Sequence, residues 1–336
     1  MATLVAHSHD QSQPASGHEA TSDERVSRTK VLESETRIGR GADCQLRLDE
    51  SHVSTQHASI RWMGQGWQIR DLGSRNGTTL DGAVLSPRVA YALREGSVIG
   101  FGSPRQSWRL VDSSGPLPMV IAEPGENERA IVSDDGLIAI PEPDNPLLTI
   151  YRSHGGQWLG ERGNEVEPFE NGRLFLLDGV SYRFANPEEV TGTVGLDPAM
   201  PLPVSPHSSA HVIRQTPLEF LVSHDEEHVD LVIGAGERAR QVRARAHFYL
   251  LLILARCRIE DTRNGLPDSA CGWRYGDELC TRLRIPSEQL NVQIFRIRRE
   301  FSSIGYVDAA EIIERRPSTR QLRIGIDGNF LTVTPT

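Results

Sequence analysis

Between Val31 and Val111 the chain is cut into short alternating segments, "ETRIGR", "CQLRL", "HASIRW", "GWQIRDL" and "SWRLV", separated by Gly, Asn and Asp. Alternation with a period of two puts every second side chain on one face, which a strand can bury against a core. Segments this short, punctuated this often by turn residues, predict an all-β sandwich for the stretch. Within it, "DLGSRNGTTLDG" (71–82) holds the pair Asn76–Gly77, a hairpin signal because both residue types tolerate positive φ. Ser74 and Arg75 stand just before that pair, where side chains at a loop tip are free to grip a ligand.

The remainder of the 336 residues leaves room for further domains. A weak internal repeat follows the first β stretch. "ASIRWMGQGWQIRD" (58–71) resembles "LTIYRSHGGQWLGE" (148–161), and "EGSVIGFGSPRQSWRL" (95–110) resembles "NGRLFLLDGVSYRF" (171–184). Trp67 then corresponds to Trp158 and Trp108 to Tyr182, while the segment containing "SRNGTTLDG" has no counterpart in the second copy. Residues 114–187 are therefore expected to be a shortened β unit that keeps a core and lacks the loops.

Residues 1–28, rich in Ser, His and Ala, are expected to be a disordered tail. Residues 188–215, rich in Pro and Ser, are expected to be a semi-extended linker. From residue 216 the pattern changes to strands up to about 243, a long helix near 244–260, helical segments near 275–283 and 287–304, and two closing strands around "EIIERR" and "RQLRIGI". Helices with a terminal hairpin outline a winged helix. The longest apolar run, "HFYLLLILA" (247–255), is flanked by arginines and reads as a buried helix, so no membrane partner is expected. Four cysteines without CxxC spacing, and no basic-then-apolar leader, fit a cytoplasmic chain.

Three motifs in the first β stretch come in a fixed order: "RIGRG" (38–42), "VSTQHASI" (53–60) and "GSRNGT" (73–78). Together they closely resemble the forkhead-associated (FHA) domain, over roughly residues 31–111, within a domain placed at 29–113. That resemblance implies a β-sandwich that binds phosphothreonine peptides through loops at one end. It gives Arg40 and Ser54 to the phosphate, Thr55 to a second polar contact, and Asn76 with Arg75 to the peptide. Gly39, His57 and Gly77 become framework residues. The chemistry agrees: a phosphothreonine carries about −1.5 to −2 charges and three strong acceptor oxygens, which an arginine fork suits. The implied partner is a phosphothreonine-containing protein or a Ser/Thr kinase. Thr21, in "ATSDE", is a candidate phosphorylation site within the tail.

The segment "SEQLNVQIFRIRREFSSIG" (287–305) places Leu290, Ile294, Ile297, Phe301 and Ile304 on one buried stripe. "VQIFRIRREF" resembles the recognition helix of OmpR-like response-regulator effector domains. By that resemblance Gln293, Phe295, Arg296 and Arg298 face DNA, and Arg315 and Arg316 lie on the wing. Arg299 lies with Gln293 and Arg296 away from the stripe, on a basic and amide face able to meet phosphates or base edges. Against DNA stands the near-neutral charge of this part, 18 Arg against 17 acidic residues from residue 211 onward.

The expectation is thus a multidomain chain: an N-terminal all-β FHA sandwich, a shortened FHA-like β unit, and a C-terminal α+β winged helix-turn-helix over 216–336. It reads as a phosphothreonine-dependent regulator that binds double-stranded DNA; the alternative is an interaction scaffold whose winged helix contacts protein. No GxxxxGK[ST], GxSxG or HExxH motif points to an enzyme or a cofactor. His224 and His228 in "HDEEH" have metal-like spacing but fall in a predicted polar turn, and no metal is assigned to them.

Overall fold

The computed structural model describes residues 1–8, 28–103, 106–123, 129–134, 136–153, 155–163, 165–187, 212–236, 239–316 and 318–336. Thr21 and most of the expected linker lie outside the described residues. The fold is multidomain and rich in β structure, and it divides into two compact units. One comprises residues 1–132 and 171–196, the other 133–170 and 197–336. The stretch 114–187, expected to be one domain, is shared between them.

The first unit opens with eleven strands: β1 (Thr3–Ser8), β2 (Thr29–Val31), β3 (Glu35–Gly39), β4 (Leu46–Arg47), β5 (Ala58–Trp62), β6 (Trp67–Asp71), β7 (Thr78–Leu80), β8 (Ala83–Val84), β9 (Ala90–Leu93), β10 (Val98–Phe101) and β11 (Gln106–Asp112). They form a six-stranded sheet ordered β2-β1-β11-β10-β7-β8 and a five-stranded sheet ordered β4-β3-β5-β6-β9. Alternate residues of both sheets, among them Leu4, Ile38, Ile60, Trp67, Ile99 and Trp108, share one buried core. This is the sandwich that the alternation predicts.

Two expectations change here. Residues 3–8 are no tail: β1 pairs antiparallel with β11 (Leu4↔Leu110) and with β2 (Thr3↔Val31), and Ala2 and Leu4 are fully buried. Backbone pairing to partners distant in sequence makes this a strand. The pair Asn76–Gly77 is no hairpin turn either. Of the two only Gly77 is left-handed (φ 77°). Strand β6 before it belongs to the five-stranded sheet, and β7 after it to the six-stranded one. The pair therefore sits in a crossover between sheets. The tight turn lies at Asp81–Gly82, both at positive φ (50° and 85°), joining β7 to β8 through Leu80↔Ala83.

The next strands are β12 (Met119–Glu123), β13 (Ala130–Val132), β14 (Leu137–Ile140), β15 (Leu148–Arg152), β16 (Trp158–Arg162), β17 (Glu165–Pro168), β18 (Leu174–Leu177) and β19 (Val180–Ala185). Their sheets run β13-β12-β19-β18, in the first unit, and β14-β15-β16-β17, in the second. These orders repeat β2-β1-β11-β10 and β3-β5-β6-β9 strand for strand. Trp67 and Trp158 open equivalent strands, pairing with Trp62 and Arg152, and both are buried. Counterparts of β4, β7 and β8 are missing among the described residues, and with them the loops that carry the FHA motifs.

The second unit continues with β20 (Leu218–Val222), β21 (Val229–Ile233), β22 (Arg240–Val242), α1 (Phe248–Arg263), β23 (Arg274–Tyr275), α2 (Gly276–Leu283), α3 (Ser287–Ser303), β24 (Ile313–Arg316), β25 (Gln321–Ile324) and β26 (Leu331–Pro335). Strand β26 lies parallel to β20 in a sheet ordered β22-β21-β20-β26, and β23-β25-β24 form a small second sheet. The N-terminal half of helix α1 is apolar on nearly every side and buries Phe248 and Leu250 to Ala255 in the centre of this core. Helix α3 contributes Leu290, Ile294, Ile297 and Phe301 to it and gives way to Gly305 at φ 101°. Among the described residues no helix is long and apolar enough to cross a membrane.

Candidate functional site

Three loops of the sandwich carry the motif residues: 40–45 after β3, 48–57 before β5, and 72–77 between β6 and β7. Backbone bonds lock the first two together. Arg40 N–H donates to Ser54 O (3.0 Å) and Gly41 N–H to Thr55 O (2.9 Å). Gly39 is required by this close approach, because a Cβ there would run into the carbonyl oxygens of Thr55 and Ser54. The second and third loops are joined through Ser54, whose hydroxyl oxygen accepts the N–H of Arg75 at 3.0 Å. Asn76 Nδ2 donates to His52 O at 2.7 Å.

His57 ties the same loops from below. Its Nδ1 accepts the N–H of Ser54 (3.1 Å), so Nε2 carries the proton and donates it to Gly77 O (3.1 Å). The ring is fully buried and meets Phe101 edge-on. Burial is the main cause that pushes its pKa below the ordinary histidine value, keeping the ring neutral. Asp71 organises the third loop. It accepts from the N–H groups of Gly73 and Ser74 and from the hydroxyls of Ser74 and Thr78, both at 2.6 Å. Burial works against its charge, but these bonds outweigh it and hold the carboxyl below the usual aspartate value. Sequence reading missed Asp71; its signal is the Asp-x-Gly-Ser run, a side chain two residues before a turn.

The frame is buried and the tip is open. Arg40, Thr55, Arg75 and Asn76 are exposed and Ser54 is half-exposed. Among the described residues the guanidinium groups of Arg40 and Arg75 have no hydrogen-bond or ion-pair partner. The three joined loops carry three donors, two guanidiniums and the Ser54 hydroxyl, with the Asn76 carbonyl Oδ1 as an acceptor. Such a set receives a multiply charged oxyanion. Among the described residues no group of His, Cys and acidic side chains could hold a metal ion. His224 and His228 flank a turn in which Ser223 Oγ accepts the N–H of His228.

The residues expected to meet DNA are not brought to one open face. Arg296 and Arg299 are exposed, 3.7 Å from Asp144 and 3.5 Å from Asp134. Gln293 is half-buried. Arg316 donates to Ser269 O at 2.6 Å and lies over the Trp273 ring. Arg298 corrects the sequence reading: its side chain is 1% exposed, ion-paired to Glu161 at 2.9 Å and donating to Ala310 O and Ile313 O. Arg315 is likewise enclosed, 2.8 Å from Glu161 and 2.8 Å from Asn291. Phe295 is buried with Leu137, Ala139, Tyr151 and Ala310. The reason is one that helical periodicity cannot reveal. Strands β14–β16 lie against the face of α3 opposite its core stripe, and a carboxylate there neutralises both arginines.

Comparison with known proteins agrees with the loop geometry. The FHA domain family model matches residues 36–102. The FHA domain-containing protein FhaA of Mycobacterium tuberculosis is 46% identical over 65 residues, 19% of this chain and 12% of FhaA. FhaB of the same species is 40% identical over 62 residues, 18% of this chain and 40% of FhaB. The match thus spans less than half the length of either relative. A solved FHA structure, from a structural and functional analysis of phosphothreonine-dependent FHA domain interactions, is 32% identical. It aligns over 34% of this chain and 98% of its own, with a TM-score of 0.25. The buried His57 frame, the three joined loops and the matched span identify residues 36–102 as an FHA domain and the chain as an FHA domain protein.

Proposed function

We propose that the chain recognises phosphothreonine-containing proteins through Arg40, Ser54, Thr55, Arg75 and Asn76. The observation that carries this reading is the Ser54 hydroxyl. Its oxygen accepts the Arg75 N–H, so its own proton is left to donate to a ligand, and among the described residues the Arg40 and Arg75 guanidiniums have no partner. Asn76 has its Nδ2 engaged with His52 O, which leaves Oδ1 to accept a peptide N–H. An FHA domain implies phosphothreonine-dependent protein interaction, and a Ser/Thr kinase supplies such partners. Calorimetry of the full chain with a phosphothreonine peptide and its unphosphorylated form tests the reading. Arg40→Ala is expected to abolish the preference; equal binding by wild type and variant would rule out Arg40 as the phosphate ligand.

For the C-terminal part we infer a winged helix acting as a DNA-binding transcriptional regulator. The supporting features are the order strands, α1, α2, α3, hairpin, and the short α2–α3 connection through Arg284 in the left-handed region (φ 56°). A scaffold that uses the winged helix for protein contact is favoured by one observation: the outward side of α3 already touches protein, namely strands β14–β16 of its own chain. Titration of the full chain with duplex DNA across salt concentrations separates the two, since phosphate contacts give a steep salt slope.

A further inference from the structure

The face of α3 turned away from its core meets strands β14–β16 and their loops through matched groups. At the centre, Glu161 lies between two guanidiniums, Arg298 at 2.9 Å and Arg315 at 2.8 Å, all nearly inaccessible to solvent. The Tyr151 ring lies 4.5 Å from the Arg298 guanidinium. Phe295 and Ala310 form the apolar part with Leu137, Ala139 and Tyr151, flanked by Leu159. At the rim, Asp144 faces Arg296 and Asp134 faces Arg299. Four arginines thus meet three carboxylates, and every carboxylate comes from the 133–170 segment.

This pattern is unlike ordinary core packing. A buried ion pair adds little stability over an apolar pair of equal volume, so a cluster of charges is a poor device for holding two layers together. It is a good device for a contact with an alternative polyanionic occupant, because arginines that pair with carboxylates pair equally well with phosphates. We propose that the 133–170 segment is an autoinhibitory cover on α3, its carboxylates standing in for the phosphates of a duplex. This inference rests on the DNA reading above and adds its regulation: the chain binds duplex DNA only when β14–β16 lift away from α3. Apparent affinity then scales with the fraction of molecules in which the cover is open.

The test uses the full chain and a mixed-sequence duplex of about three helical turns. Two variants loosen the cover by different means. Glu161→Gln removes the central charge, and Leu159→Arg places a cation against the apolar cluster that holds Phe295. Hydrogen exchange of the amides in 137–162 reports opening independently of any DNA. The expected result is faster exchange in both variants together with duplex affinity about tenfold or more above wild type. Faster exchange with wild-type affinity overturns the gate while leaving DNA binding intact. Faster exchange with no duplex binding by any form, even at low salt, overturns the DNA reading and the gate with it, and leaves a permanent protein contact. Unchanged exchange in both variants shows that the sheet does not lift, which also overturns the gate.

Discussion

Ser54 and Arg75 are 21 residues apart, and the hydroxyl of the first accepts the backbone N–H of the second at 3.0 Å. A single side chain therefore sets the distance between two loops and offers its remaining proton to a ligand. Ser54→Ala removes both. The variant is expected to lose about 1.5–3 kcal/mol of phosphothreonine-peptide affinity, the usual worth of a hydrogen bond to a charged group. Folding stability should fall by about 0.5–1.5 kcal/mol. Calorimetry and urea unfolding measure the two separately; a stability loss with unchanged affinity would leave Ser54 a loop tie and nothing more.

The pH dependence of the frame follows from His57. Its folded-state pKa is depressed by burial, so the unfolded chain takes up the proton first as pH falls. The stability it contributes is complete above the ordinary histidine value of about 6.5 and is lost progressively below it. Protonation would also cost the Nδ1 acceptor that holds Ser54 N–H. The melting temperature of the FHA portion should drop between neutral and mildly acidic pH, and His57→Gln should flatten that drop. An imidazole titration by NMR giving a His57 pKa at or above the ordinary value would contradict the account.

Gly39 matters through space rather than through φ. A methyl group there meets the backbone oxygens of Ser54 and Thr55, and neither can rotate away as a side chain would. Gly39→Ala should destabilise the chain by about 1–3 kcal/mol, the typical cost of overpacking. It should weaken phosphopeptide binding by displacing the loop that holds Ser54. Retention of wild-type affinity and melting temperature would show that the loop moves freely.

Period-two alternation makes the sandwich legible because its strands are half-buried, and the helices are legible because α1 and α3 each carry a strong apolar pattern. The motif residues Arg40, Ser54 and Asn76 are legible as a set in fixed order. Two things are not. Strand β1 depends on pairing with β11, over a hundred residues away, and local alternation in "TLVAHS" is too short to mark it. The second buried face of α3 depends on Glu161, which is 137 residues before Arg298. An arginine in a helix carries no local mark of an enclosing partner. The available signal was apolar: Val292 and Phe295 interrupt the face otherwise assigned to DNA, and both are buried.

Arg296 and Arg315 look alike in sequence, each a basic residue of an element that resembles a DNA-binding one, and the fold gives them opposite physics. Arg296 is about half exposed and 3.7 Å from an exposed Asp144, a pair of the kind that contributes little. Arg315 is enclosed and shares Glu161 with Arg298. Burial opposes the Glu161 charge, yet the two guanidiniums outweigh it and hold its pKa below the ordinary glutamate value. Arg315→Ala leaves that carboxylate with one partner in place of two and should destabilise the second unit by about 3–5 kcal/mol, as breaking a buried pair does. Arg296→Ala should stay within about 0.5 kcal/mol of wild type. The sign with pH follows from the depressed pKa. Stability from Glu161 is present above the unfolded value of about 4.3 and lost as pH falls below it. Arg315→Ala should therefore narrow the gap between neutral and acid stability. Urea unfolding of the full chain at neutral pH and in mild acid, followed by probes local to α3, reads all three quantities. Equal losses for the two variants would mean that Glu161 is not left under-compensated when Arg315 is removed.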